Sequence, residues 1–229
     1  MALAAQTYYN MADFNSAIPF ILSAEGGLSR NPKDTASKNP APWSYLGKTG
    51  WHTNRGITFS TFVSMAPKLG YAVSPANFFT MPDEIWNKIY KTGYWDAIKG
   101  DAINSIPVAI ALVDYAFNFG PTGALKRLRE WLRDDFNVSV NTTSGLVSAI
   151  NELTASDEKG FFEKLIAHRK AAYIALKQPA EENGWLERMD KLKDKGLALL
   201  SKTVVNTIKI ATEHKTAITV TAFFLCWPQ

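Results

Sequence analysis

Cysteine is almost missing from this chain of 229 residues: Cys226 is the one present, which excludes a disulfide framework and any cysteine-built zinc cluster. Histidine is nearly as scarce. His52, His168 and His214 stand apart, with no HxxxH or HExxH spacing, so no histidine-rich metal site is expected. Charge of one sign is also lacking. There are 25 Lys+Arg against 21 Asp+Glu, a formal net charge of +4, and the basic residues are mixed with acids instead of forming a block. That pattern argues against a nucleic-acid partner and leaves only weak attraction to an anionic polymer or lipid surface. Residues 1–10 (MALAAQTYYN) carry no Lys or Arg and only a short apolar run, so no cleaved export signal is expected. The apolar segment Thr216 to Trp227 is shorter than the roughly 20 residues a spanning helix needs. It is expected to pack on the protein's own core, with membrane-surface contact and self-association as the alternatives.

Two enzyme classes lose their signatures as well. Gly47-Lys48-Thr49 resembles the end of a phosphate-binding loop, but Pro42 stands where that motif needs glycine. Neither GxSxG nor GxGxxG occurs, which removes serine-elbow hydrolases and dinucleotide enzymes.

What the chain does have is a large apolar and aromatic content, 46% hydrophobic with 7 Trp, 8 Tyr and 13 Phe. That excludes disorder and suits one compact domain or two small ones. Helical periodicity dominates, so the fold class is mainly α. A first helix is expected over Asn15 to Ala24, capped by Asn15 or Ser16 and stopped by Gly26-Gly27. From Leu28 to Gly56 there is no sustained period, which reads as a long irregular lobe with room for a small hairpin; such a loop in a compact domain is usually functional. Helices resume from Thr58 to Leu69, then from Glu84 to Tyr94 behind a Thr80/Asp83 capping box. Ile106 to Phe119 is apolar nearly all round and reads as a buried central helix. Further helices are expected over Pro121 to Phe136, Ser144 to Leu153, a segment capped by Ser156 and closed by Pro179, and Gly184 onward. The one soft boundary, near Lys99 to Ser105, separates 12–100 from 101–195, which are expected to pack together as one unit, ahead of a helical and apolar tail at 196–229.

The residue best placed for chemistry is Glu25. At a helix C-terminus the backbone carbonyls disfavour a negative charge, and Phe20, Ile21 and Leu22 add desolvation; both effects raise a carboxyl pKa. A carboxylic acid still protonated near neutrality can protonate a departing glycosidic oxygen. The bland alternative is an ordinary solvated helix end. A second carboxylate must handle water or act as nucleophile, and Asp34 in the lobe is the nearest; inverting enzymes hold such a pair roughly 6.5–9.5 Å apart. Thr53 offers a hydroxyl to hold the water. Trp43, Tyr45 and Trp51 suit sugar faces and equally suit a small core within the lobe.

These residues carry a resemblance. Glu25-Gly26-Gly27-Leu28-Ser29, Asn31-Pro32-Lys33-Asp34 and Thr53-Asn54-Arg55-Gly56-Ile57-Thr58 are similar, in order, to the signature of the glycoside hydrolase family 108 N-acetylmuramidases. Tyr94-Trp95, the run from Asp114 through Asn118 to Gly120, and Gly184-Trp185 through Arg188 match later family segments, so the likeness spans about Ala12 to Arg188. Leu28 stands where the family has an aromatic, and Thr35-Ala36-Ser37 replaces P-G-G ahead of an insertion through Trp51. The resemblance implies a lysozyme-like helical fold whose second half corresponds to a peptidoglycan-binding segment. It implies hydrolysis of the β-1,4 bond between N-acetylmuramic acid and N-acetylglucosamine, as in phage, prophage and bacterial enzymes, some of them called secretion activators. Glu25 would be the general acid, Asp34 the water holder and Thr53 its support. Trp43, Tyr45, Trp51, Asn54 and Thr58 are candidate substrate contacts. No cofactor or metal is implied, the partner is the peptidoglycan glycan strand, and the expected place of action is the cell wall after release or non-classical export from the cytoplasm. The alternative is a non-catalytic peptidoglycan-binding or secretion-accessory protein on the same fold. Asn118 and Asp114 are expected to make structural hydrogen bonds rather than touch substrate.

Overall fold

A computed structural model describes residues 12–179 and 181–201. The apolar segment Thr216 to Trp227 lies outside the described residues. Among the described residues the fold is mainly α, as the periodicity predicts, with one two-stranded antiparallel sheet.

Helix α1 (Phe14–Ala24) starts at Asp13, not at Asn15 or Ser16: the Asp13 carboxylate accepts from the Ser16 backbone N–H at 3.1 Å. Three residues with capping side chains crowd this start, and the first of them reaches the free N–H groups. Glu25 ends the helix in an extended conformation, its N–H still bonded to the Ile21 carbonyl at 3.0 Å. The lobe follows. It holds a 3-10 turn at Thr35–Lys38 and the hairpin of β1 (Thr53–Asn54) and β2 (Ile57–Thr58), paired as Thr53 with Thr58 and Asn54 with Ile57. The hairpin loop is Arg55-Gly56, both at positive φ (49° and 75°). That is the two-residue turn whose twist matches paired strands, and its second position suits glycine.

Helix α2 (Phe59–Met65) is capped by Thr58, and α3 (Pro75–Phe79) by Ser74. The capping box at Thr80 and Asp83 does not form. Thr80 ends α3, its hydroxyl donating to the Ala76 carbonyl at 2.7 Å, and α4 (Asp83–Tyr90) begins behind Pro82 without a side-chain cap. The intervening helix α3 took the threonine. A wider π turn, Lys91–Trp95, continues α4.

The centre is α5 (Ile106–Phe119), capped by Ser105, in which residues 107–116 are all buried. Helices α6 (Pro121–Phe136), α7 (Thr143–Ser156) and α8 (Glu158–Ile174) follow, and α1, α6 and α8 pack directly on α5. Ser156 belongs to α7, and Asp157 is the residue that caps α8. Pro179 opens rather than closes a helix, since α8 has already ended and a further helix, α9, is described over residues 181–201. Met189, Leu192 and Leu200 of α9 are buried in the common core, and Trp185 stacks on Tyr173 of α8. Among the described residues no helix is long and apolar enough to cross a membrane.

Candidate active site

Glu25 leaves α1 pointing into a crowded, charged interior, its side chain 13% exposed. Five elements close around it. From the hairpin comes Gly56: a Cβ there would overlap both Glu25 Oε2 and the Phe117 ring, so the loop's glycine is required twice, by its φ of 75° and by the acid's approach. From α4 and α5 come Tyr90 and Phe117, with Tyr94 from the π turn stacked edge-on to Phe117 at 4.9 Å. From α9 comes Arg188, whose Nη1 lies 2.7 Å from Glu25 Oε1. The nitrogen approaches off the direction of a good hydrogen bond, so this is a close ion pair rather than a well-aligned donor.

Arg188 is itself held. Its Nε donates to Asp114 Oδ1 at 3.0 Å, and its Nη2 contacts the same oxygen. The other Asp114 oxygen accepts from Arg169 Nη2 at 2.6 Å, and Arg169 Nη1 donates to the Ala111 carbonyl at 3.0 Å. Asp114 and Arg169 are fully buried. The result is a row of alternating charges, Arg169, Asp114, Arg188, Glu25, contributed by α8, α5, α9 and the end of α1.

Burial raises the Glu25 carboxyl pKa; Arg188 pulls it back, and the Asp114 charge raises it again. The net direction is upward, because the loss of solvent around the carboxyl outweighs the pull of Arg188. Asp114 goes the other way: burial would raise it, but Arg169 and Arg188 together hold it below the usual carboxylate range. Burial likewise pushes the Tyr90 hydroxyl upward, with the Asp114 and Glu25 charges adding to the effect. The elevated acid at the helix end was predictable from position, while its opposing arginine was not.

The second group of candidates gathers around the hairpin. β1 runs beside the chain leaving Glu25, with the Ser29 N–H donating to the Thr53 carbonyl at 2.8 Å and the Arg55 N–H to the Gly27 carbonyl at 3.3 Å. His52 is fully buried between them. Its Nε2 lies 3.1 Å from the Asn31 carbonyl, an acceptor only, and its Nδ1 lies 2.9 Å from the Thr53 hydroxyl. Asp34 Oδ2 is 4.0 Å from the same Nδ1, while Oδ1 caps the 3-10 turn by accepting from the Ala36 N–H at 2.9 Å. The structure therefore brings Asp34 and Thr53 together through His52, a residue the sequence showed only as a scattered histidine.

The aromatics of the lobe make contacts of their own. Tyr45 stacks on Phe79 at 4.4 Å, Trp43 sits edge-on to Phe59 at 5.4 Å, and Trp51 Nε1 donates to the Tyr45 and Lys48 carbonyls. These contacts give the lobe a small core of its own, with all three rings still partly exposed. Asn54 is 4% exposed and its amide donates to the Phe78 and Phe79 carbonyls at 2.7 and 3.0 Å, tying hairpin to α3. The Thr58 hydroxyl caps α2. Both are committed to holding the lobe in place. Asn118 donates to the Asp114 carbonyl at 2.6 Å, a bond within its own helix. Among the described residues no group of three or more His, Cys, Asp or Glu could hold a metal ion.

Residues 18–120 match the family model described as Glycosyl hydrolase 108. Among solved structures the chain is similar to the structure of Brucella abortus SagA, with a TM-score of 0.56 and 26% identity over 81% of this chain and 94% of that one. No curated protein matches the chain. The matched segment contains Glu25, Asp34, His52, Thr53 and Asp114 and ends before Arg169 and Arg188.

Proposed function

We propose, since residues 18–120 match the family model described as Glycosyl hydrolase 108, that the chain is an N-acetylmuramidase cutting the β-1,4 bond between N-acetylmuramic acid and N-acetylglucosamine in peptidoglycan. The observation that carries this is Glu25, a largely buried carboxyl at a helix end whose pKa burial raises. Such a group keeps its proton to a higher pH than an ordinary glutamate and gives it to the leaving glycosidic oxygen as the C1–O bond breaks. Water adds its oxygen to C1 and sheds a proton. Asp34, 41% exposed and beside Thr53, is the carboxylate that receives it, with the Thr53 hydroxyl orienting the water. The substrate lies outside the cytoplasmic membrane, so the protein acts there once released or exported.

The test is digestion of peptide-trimmed peptidoglycan, with mass spectrometry of the reduced products. Fragments ending in reduced N-acetylmuramic acid are expected from the wild type, and Glu25→Gln should lower their rate of formation roughly 10²–10⁴-fold while binding to sacculi persists. Intact glycan with retained binding would replace this proposal with a non-catalytic peptidoglycan-binding role. Equal rates in the two proteins would remove Glu25 as the acid.

A further inference from the structure

We propose that Arg188, delivered by α9 and fixed by the buried Asp114–Arg169 pair, is a positioning residue for Glu25: it holds the carboxyl in place and limits how high in pH it stays protonated. The inference rests on the role of Glu25 proposed above and assigns part of the acid's control to α9.

Its basis is geometric. Glu25 follows the last turn of α1, which offers no basic side chain of its own. The charged or titratable groups facing it come from elsewhere: Arg188 on α9, Asp114 on α5, Tyr90 on α4 and Tyr94 on the π turn. The hairpin's Arg55 is turned away, donating to the Met81 carbonyl and to Asp83. Arg188 is thus the cation in contact with the acid, and Asp114 sets where its guanidinium sits. Arginine is suited to this because its planar fork can present one edge to Asp114 and the remaining nitrogen to Glu25. A lysine offers a single point of charge and cannot fill both positions. Counted together, two arginines and two carboxylates balance when Glu25 is ionised. Protonating Glu25 leaves one buried positive charge, so the pair works against burial, and the acid is held between the two effects.

The experiment follows the Glu25 side-chain carboxyl by carbon NMR through a pH titration in the full chain, wild type and Arg188→Gln, with circular dichroism recording the fold. Removing the cation should move the Glu25 midpoint upward by roughly one pH unit or more. Arg188→Lys, which keeps the charge but not the fork, should fall between the two. If the proposed hydrolysis is present, the alkaline limb of its pH profile should move by the same amount. A folded Arg188→Gln protein with an unmoved Glu25 midpoint overturns the inference. Should the variant unfold, the wild type still decides: the Arg188 guanidinium nitrogen signals must show an inflection at the Glu25 midpoint, and flat signals there overturn the inference. Absence of hydrolysis with a coupled titration removes the enzymatic proposal but leaves the coupling, so the two failures are distinguishable.

Discussion

At the scale of single residues, two positions near Glu25 tolerate almost no change, for different reasons. Gly56→Ala places a methyl group against Glu25 Oε2 and the Phe117 ring at a φ of 75°; the expected cost exceeds about 1 kcal/mol, read by urea unfolding, together with displacement of the acid and lower hydrolysis. Asp114→Ala leaves Arg169 buried without its carboxylate and is expected to cost about 3–5 kcal/mol in the same measurement. By contrast, Asp83→Ala breaks a surface pair with Arg55 and should cost about 1 kcal/mol or less. The helix-end setting of Glu25 is legible in the sequence because its signal is local, an apolar helical run and then glycines, whereas its role as the acid comes from the family resemblance. Arg188 is quoted in a recognisable motif, yet nothing nearby says what it touches, since its two partners are Asp114 and Glu25, far back along the chain. His52 was hidden by the same limitation, for a histidine's role is set by whichever carbonyl and hydroxyl the fold puts against its two nitrogens.

At the scale of elements, the helices with a full apolar face were readable and the short connecting pieces were not. α5 announces itself through an unbroken apolar run, and its residues 107–116 are indeed buried. The Thr80/Asp83 capping box failed because five residues, Pro75–Phe79, form a helix too short to show a period. The hairpin was foreseen only as room for one. Arg55-Gly56 is its turn, and its place beside Glu25 explains why a loop signature belongs to a site built mostly of helices. The seam between α6 and α8 carries a pH prediction. His168 of α8 stacks on Trp131 of α6 at 4.9 Å, and burial lowers its pKa to about 4. The folded state therefore disfavours the proton that the unfolded chain takes up near pH 6.5. This contribution to stability is intact above pH 6.5 and is lost as pH falls from there toward 4. The melting temperature should fall over that window, and less steeply in His168→Phe, as scanning calorimetry would show.

At the scale of the whole molecule, the segment matching the hydrolase family and the surroundings of its acid are not the same piece of chain. Residues 18–120 carry Glu25, Asp34, Thr53 and Asp114, whereas α8 and α9 supply the two arginines. α9 also buries Met189, Leu192 and Leu200 against the rest. A chain ending at Gln178 should therefore melt well below one ending at Ser201, since each such side chain contributes about 1.5–3 kcal/mol when fully buried. Comparison of their thermal unfolding curves checks this, and a preserved melting temperature would show that α9 is an accessory. α1 packs on α5 and the Ala12 N–H donates to the Ile103 carbonyl at 3.1 Å, so contacts cross the soft boundary near Lys99 to Ser105. The ion pair between Glu25 and Arg188 also has a direction in time. A ribosome makes the acid early and its cation late, so every nascent chain spends most of its synthesis with Glu25 unopposed. Premature termination, or trimming by an exopeptidase from the carboxyl end past residue 188, would alter the acid while leaving every residue of the family segment in place.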